Sequence, residues 1–367
     1  MKLSSNCFND SELKGIIDSI NNEDICDIYG ISSKHIYDTE KHSELIPYFE
    51  SLIGVYTPTS ESDIEIDKSK TLRLKYDILE NWDIFKSDIT HEKAYLILKN
   101  ICHEKYAETP ELFDDDIIIE ELYDNNYKKN HSLLKIYTWA EFTNSLIKSN
   151  RYHTNHFNEE ILKLFCSIIK KHYKTGQRFY RGRVSKKEGI PKDEMGAPKF
   201  EYSRDGRANA SGVECLYLAS EIDTTINEVR AGKSDYITIG TFELQQDITI
   251  VDLKRIDKIS PFTIDENEIP LVDYAINKKF LKKINEEMGK VIRKNDSRLD
   301  YIPTQYISDY IKSLEINSTG MYSGIEYNST ICSSGYNLAI FYPNLFKCVE
   351  TNVYEVSSLV YDYKKIS

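Results

Sequence analysis

The sequence predicts an α+β fold, in which a mainly helical N-terminal half is followed by a half where short strands alternate with helices. Three observations carry this. From residue 10 to about 172 the apolar residues recur at spacings of three and four. Near Gly176 the texture changes to short runs of aromatic and β-branched residues bounded by Gly, Asp or Pro, the pattern of strands. The length, 367 residues, also exceeds what one hydrophobic core usually supports, so two domains are expected, residues 1–172 and 173–367.

In chain order, "DSELKGIIDSI" reads as a helix capped by Asp10 or Ser11, and "HEKAYLILKNICHEKYAE" and "NEEILKLFCSIIKKHYK" share its helical rhythm. The polar stretch "TPTSESDIEIDKSK", residues 57–70, reads as a loop. The expected strands are "RFYRGR", "CLYLAS", "YITIGTFEL", "ITIVDL" and "YNLAIFYP". Between them "EIDTTINEVRA", "LVDYAINKKFLKKINEEMGKVIR" and "PTQYISDYIKSLE" read as helices, the last with Pro303 in its first turn. Residues 206–230 are the most informative. A polar Gly-rich loop from Gly206 to Gly212 precedes the strand, and Ser220 with Asp223 forms a capping box. Ile222, Ile226 and Val229 make a buried stripe, and Gly232 closes the helix. The cluster Tyr327 to Ser329 reads as a turn. No fixed-period repeat is visible.

A net charge of −12 and a pI near 5.3 argue against a general nucleic-acid binder, whose affinity comes from phosphate neutralisation. A local basic pocket remains compatible with that balance. No apolar run has the length of a signal-peptide core or a membrane span, which makes the cytoplasm the expected address and a membrane partner unexpected. The seven cysteines, Cys7, Cys26, Cys102, Cys166, Cys215, Cys332 and Cys348, form no disulfide framework. Ser4-x-x-Cys7 and Cys26-x-x-Tyr29 sit where paired C-x-x-C zinc knuckles would, each lacking one ligand. Two thiolates do not close a four-ligand structural site, so no metal is expected.

In an acidic chain, the three arginines of "RFYRGR", Arg178, Arg181 and Arg183, call for an anion. Glu228 in "LYLASEIDTTINEVR" lies beside the buried stripe of its helix, on the side of Thr224 and Thr225, and Ser329 stands in "GIEYNSTICSSGYNLAIF". This ordered series, with "YIPTQYI" between the last two, resembles the RES domain, named for its Arg, Glu and Ser, over residues 176 to 350. The N-terminal half is similar to the helical HEPN/RES N-terminal domain through "NCFNDSELKGIIDS", the Cys26 knuckle and "EFTNSLIKSNRY".

The resemblance implies an ADP-ribosyltransferase-like fold and attack on NAD as substrate, by hydrolysis or phosphorolysis, in a toxin that commonly occurs with an antitoxin. NAD already carries a cationic leaving group, so one carboxylate suffices where O-glycosides need two. On this reading Glu228 stabilises the oxocarbenium-like charge, with Glu221 as its rival, and Ser329 positions the nicotinamide ribose. Arg181 takes the pyrophosphate bidentately, with Gly182 keeping the backbone open beside it. Arg183 has the same strand parity and assists, whereas Arg178 sits at the exposed strand start. Tyr217, Tyr327, and Arg207 and Asn209 of the Gly-rich loop complete the expected binding set. Tyr217 reads either as a stacking partner of nicotinamide or as core.

Other readings stay open. ADP-ribose transfer to a protein or nucleic acid uses the same bond cleavage. Arg151 and His156 fit the loose arginine–histidine spacing of HEPN ribonucleases. A non-catalytic module would bind NAD or ADP-ribose and recognise a partner. A toxin–antitoxin pair, with an antitoxin or immunity protein as partner, and phage defence are equally compatible contexts.

Overall fold

Asp10 starts the first helix, Ser11–Ser19, as the sequence predicts, its carboxylate accepting from the amides of Glu12 and Leu13. Such a cap contributes about 1 kcal/mol. The computed structural model describes residues 1–263, 269–290, 297–316, 320–331 and 335–359. Cys332 and the last residues of the helical run ending "VIR" lie outside them.

The α+β expectation holds, but the compact units do not divide at residue 172. One unit holds residues 1–136 and 257–278, the other 137–256 and 279–367. Residues after 136 join the second unit through aromatic packing, with Phe142 and Phe157 each meeting Tyr306 at ring-centroid distances of 6.0 and 5.8 Å.

The first unit is mainly helical. Its run from His91 is two helices, His91–Ile101 and His103–Glu108, because Cys102 leaves helical geometry at φ −95° and ψ 45°. Phe8 gathers Phe49 and Phe85 at centroid distances of 6.2 and 5.6 Å in its core. Lys2–Ser4 pairs with Ile36–Asp38, Asp24–Ile25 with Ser32–Ser33, and Thr57–Pro58 with Ile117–Ile118. Strands this short carry too little alternation to be read from sequence.

The second unit is built on an eight-stranded sheet. Its strands are β1 (Lys170–Tyr173), β2 (Arg178–Ser185), β3 (Leu216–Ala219), β4 (Tyr236–Leu244), β5 (Ile248–Asp252), β6 (Gly324–Asn328), β7 (Tyr336–Ile340) and β8 (Phe346–Glu355). Their spatial order is β8-β4-β2-β3-β7-β6-β5-β1, with only β5 and β6 parallel. The expected helix through Lys174 stops at Ile168. Its tail "KKHY" is edge strand β1, antiparallel to β5. Helices α1 (Glu159–Ile168), α2 (Ile222–Val229), α3 (Leu271–Gly289) and α4 (Ile302–Ser313) accompany these strands in the chain. No helix among the described residues is long and apolar enough to cross a membrane.

One face of the sheet carries the core: Phe179, Leu216, Leu218, Phe242, Leu338 and Ile340 pack together. Glu326 of β6 is fully buried on that side, both carboxylate oxygens accepting from Lys171 at 3.0 and 3.1 Å and further bonds coming from Lys254 and Tyr173. Removing one partner of a buried ionic cluster leaves the others uncompensated. Glu326→Ala is expected to lower the unfolding free energy by about 3–5 kcal/mol in urea titration, with an unchanged slope.

Candidate active site

The sheet opens at its centre. β2 pairs with β4 over eight residue pairs, from Tyr236↔Ser185 to Glu243↔Arg178, but with β3 through the single pair Tyr180↔Ala219. Beyond that pair the two strands are not paired.

Helix α2 packs against β2. Ser220 does not form the expected capping box. Its amide donates to the carbonyl of Tyr336 at 2.9 Å and its hydroxyl accepts from the Tyr336 amide at 3.0 Å, tying β3 to β7. The N-cap is Glu221, without a side-chain bond, so the rival carboxylate lies outside the helix proper. The helix ends at Arg230 in the left-handed region, φ 53°, while the Gly232 amide bonds Asp235. The buried residues are Thr224 and Thr225, not the aliphatic stripe, since Ile222, Ile226 and Val229 are half-buried.

Two glycines explain that inversion. A Cβ on Gly182 would lie 2.7 Å from the side chain of Val229 and 2.8 Å from that of Thr225. One on Gly335 would lie 2.9 Å from Cβ of Thr224. Gly182 therefore admits the helix and does not open the backbone toward a ligand, contrary to the sequence expectation. Gly335→Ala is expected to cost about 1–3 kcal/mol through overpacking, readable as a lower urea midpoint.

This seating brings Glu228 to β6 and β7. Its Oε1 accepts from the Ser329 hydroxyl at 2.9 Å and from Nδ2 of Asn337 at 2.8 Å. Ser329 and Asn337 are buried, whereas Glu228 is exposed. Ser329 also accepts from the Ile331 amide at 3.3 Å. Tyr327 belongs to β6 and not to a turn, with Ser329 just beyond the strand end. Burial, and then the charge of Glu228, push the Tyr327 phenol well above its usual range, so it stays a neutral donor. Asn337 escaped the sequence reading. Its signal is a polar residue in "YNLAIF" at the parity opposite Leu338 and Ile340, which face the core.

On β2, Arg181 lines a cavity of about 890 Å³ together with Arg183, Arg204, Asn209, Cys215 and Tyr217. Its Nη1 donates to the Tyr217 carbonyl at 3.4 Å, a long bond, while its buried Nε has no partner among the described residues. Burial, followed by the neighbouring Arg183, lowers the guanidinium to about 10, so it remains cationic at neutral pH. A buried donor of this kind is normally satisfied, and its being open here points to an anion. Arg181 and Glu228 are not bonded to each other. Their chain neighbours Gly182 and Val229 meet at the helix–strand contact.

The remaining expected binders are largely engaged within the protein. Arg183 donates to the carbonyls of Glu194 and Gly196 at 2.9 and 2.6 Å. Arg207 donates to those of Lys290 and Asp300, and burial lowers it. Asn209 bonds the carbonyls of Arg204, Ala210 and Val213 and accepts from the Tyr217 hydroxyl at 2.7 Å. Tyr217 thus pins the Gly206–Gly212 loop. Arg178 is exposed and paired with Glu243 at 3.0 Å. His156 lies against the Tyr137 ring at 3.8 Å and bonds Thr154, whereas Arg151 lines a different cavity with Glu159, Asp309 and Lys312. Among the described residues no three His, Cys, Asp or Glu side chains form a metal-ligating group.

No curated protein and no solved structure matches the chain. The family model of the RES domain matches residues 180–362, a span that opens one residue before Arg181 and contains Glu228, Ser329 and Asn337. The chain accordingly belongs to the RES-domain family, which is associated with NAD consumption by toxin-like enzymes.

Proposed function

We propose that this chain cleaves the bond between nicotinamide and ribose in NAD, with Glu228 as the catalytic carboxylate and Arg181 on the pyrophosphate. The observation that carries the reading is the state of these two groups. Glu228 is held at one oxygen by Ser329 and Asn337, and Arg181 keeps a buried donor unpaired among the described residues.

Because both bonds fall on Oε1, Oε2 is left for a ribose hydroxyl. Held by two buried donors, the carboxylate needs little reorganisation as positive charge develops on the ribose, the condition under which electrostatic stabilisation is most effective. Nicotinamide leaves as a neutral molecule, so no general acid is required. Ser329 then acts with Asn337 in positioning Glu228. Tyr217 lines the cationic cavity, whose volume suits a dinucleotide, and Tyr327 is the phenol that feels the charge of Glu228. Arg183 holds the Glu194–Gly196 segment of that cavity.

Water or inorganic phosphate is the proposed acceptor, with the N-terminal half as a control domain and an antitoxin or immunity protein as partner. Incubating purified protein with NAD, with and without phosphate, and separating the products by chromatography tests this. Free nicotinamide with ADP-ribose or its 1-phosphate is the expected result. Intact NAD would contradict the proposal, and nicotinamide release only in the presence of a macromolecular acceptor would assign ADP-ribose transfer instead.

A further inference from the structure

Cys7 and Cys26, one from each of the incomplete knuckles read in the sequence, meet in the first unit. Their sulfurs are 3.7 Å apart, within van der Waals contact, and both side chains are buried. Cys7 ends the turn Ser5–Cys7, and Cys26 follows the strand Asp24–Ile25. The backbone fixes both supports: the Asp27 amide donates to the Lys2 carbonyl at 2.9 Å, and the Gly30 amide to that of Cys26 at 2.7 Å. Ser4 and Tyr29, the other two knuckle positions, line an adjacent cavity of about 310 Å³ together with Lys86 and Asp88. Tyr29 donates to Asp88 at 2.9 Å. The arrangement is a dithiol beside a small polar cavity.

We propose that Cys7 and Cys26 form a reversible thiol–disulfide site that reacts with a small hydroperoxide. The Cys26 thiolate attacks the peroxide oxygen. The O–O bond breaks, the released hydroxide or alkoxide takes a proton from solvent, and Cys26 becomes a sulfenic acid. The Cys7 sulfur then attacks the Cys26 sulfur. The S–S bond forms as the S–O bond breaks, and the departing hydroxide leaves as water with the proton of Cys7. Two thiols have lost two electrons, and the peroxide has been reduced.

Cys26 is the attacking sulfur because its contact with Cys7, against the opposing effect of burial and with help from Ser4, lowers it, while that same contact and burial raise Cys7. Burial raises Cys102 and Cys215 to about 12, which makes them unreactive controls inside the same chain.

The test exposes the reduced full-length protein to graded hydrogen peroxide, alkylates the remaining thiols after denaturation and maps tryptic peptides by mass. Cleavage at Lys2, Lys14 and Lys34 puts the two cysteines in separate peptides. Loss of the Cys7 and Cys26 thiols together, a linked peptide pair lacking two hydrogens, and full recovery with dithiothreitol are expected. Cys102 and Cys215 should remain alkylatable. In Cys7→Ser, a sulfenic acid on Cys26 should be trapped by dimedone. Cys7 and Cys26 staying reduced at peroxide levels that oxidise the partly exposed Cys348, or reacting no faster than Cys102 and Cys215, would overturn the proposal. The wild-type measurement decides even where the variant fails to fold.

Discussion

Replacing Arg181 by Met is expected to weaken NAD binding by roughly 30-fold to several-thousand-fold while making the protein more stable. The two effects share one cause. In the free protein the guanidinium has a buried Nε without a partner among the described residues and one long bond to the Tyr217 carbonyl. Leaving such a donor unsatisfied costs free energy that a thioether of similar reach does not, so a gain of about 1 kcal/mol is expected. In the proposed complex the same group meets the pyrophosphate, and losing a buried charge contact costs about 2–5 kcal/mol of affinity. Calorimetric titration with NAD and a thermal melt read the two quantities separately. Equal affinity, or a lower melting temperature, would place Arg181 among structural arginines.

Glu228→Gln is expected to reduce the rate of nicotinamide release by about 100- to 1,000-fold, with little change in the concentration giving half-maximal rate. The amide keeps the size and its carbonyl oxygen can still accept from Ser329 and Asn337, so the helix should stay seated. What is lost is the negative charge facing the developing cation. Glu228 is exposed and its cluster is small, so the melting temperature should move little. A matched fall in rate and stability would instead make the carboxylate a structural member of the α2–β7 contact.

The strands of the large sheet were legible where aromatic and β-branched runs met turn residues, as in "YITIGTFEL" and "ITIVDL". β1 was not, because "KKHY" continues the periodicity of α1 without a break that the sequence marks. Arg181, Glu228 and Ser329 were singled out through their order and spacing, and the structure bonds Ser329 to Glu228. The seat of α2 could not, since it depends on Gly182 and Gly335 lying beneath a helix from elsewhere in the chain. Asn337 was hidden for a related reason. Its contact spans 109 residues of sequence, and the local alternation marks only the face it occupies, not the partner. Arg207 and Asn209 read as ligand groups because they are polar and lie in the Gly-rich loop. In the structure Arg207 donates to the main-chain carbonyls of Lys290 and Asp300, and Asn209 to carbonyls in and beside the loop.

The most direct measurement is the initial rate of nicotinamide release from NAD by the purified chain, taken beside Glu228→Gln at equal concentration of folded protein. Steady release by the wild type that falls at least 100-fold in the variant is the result expected from a preorganised carboxylate. Equal rates in the two proteins, or no release by a wild type that binds NAD, would contradict cleavage at this site.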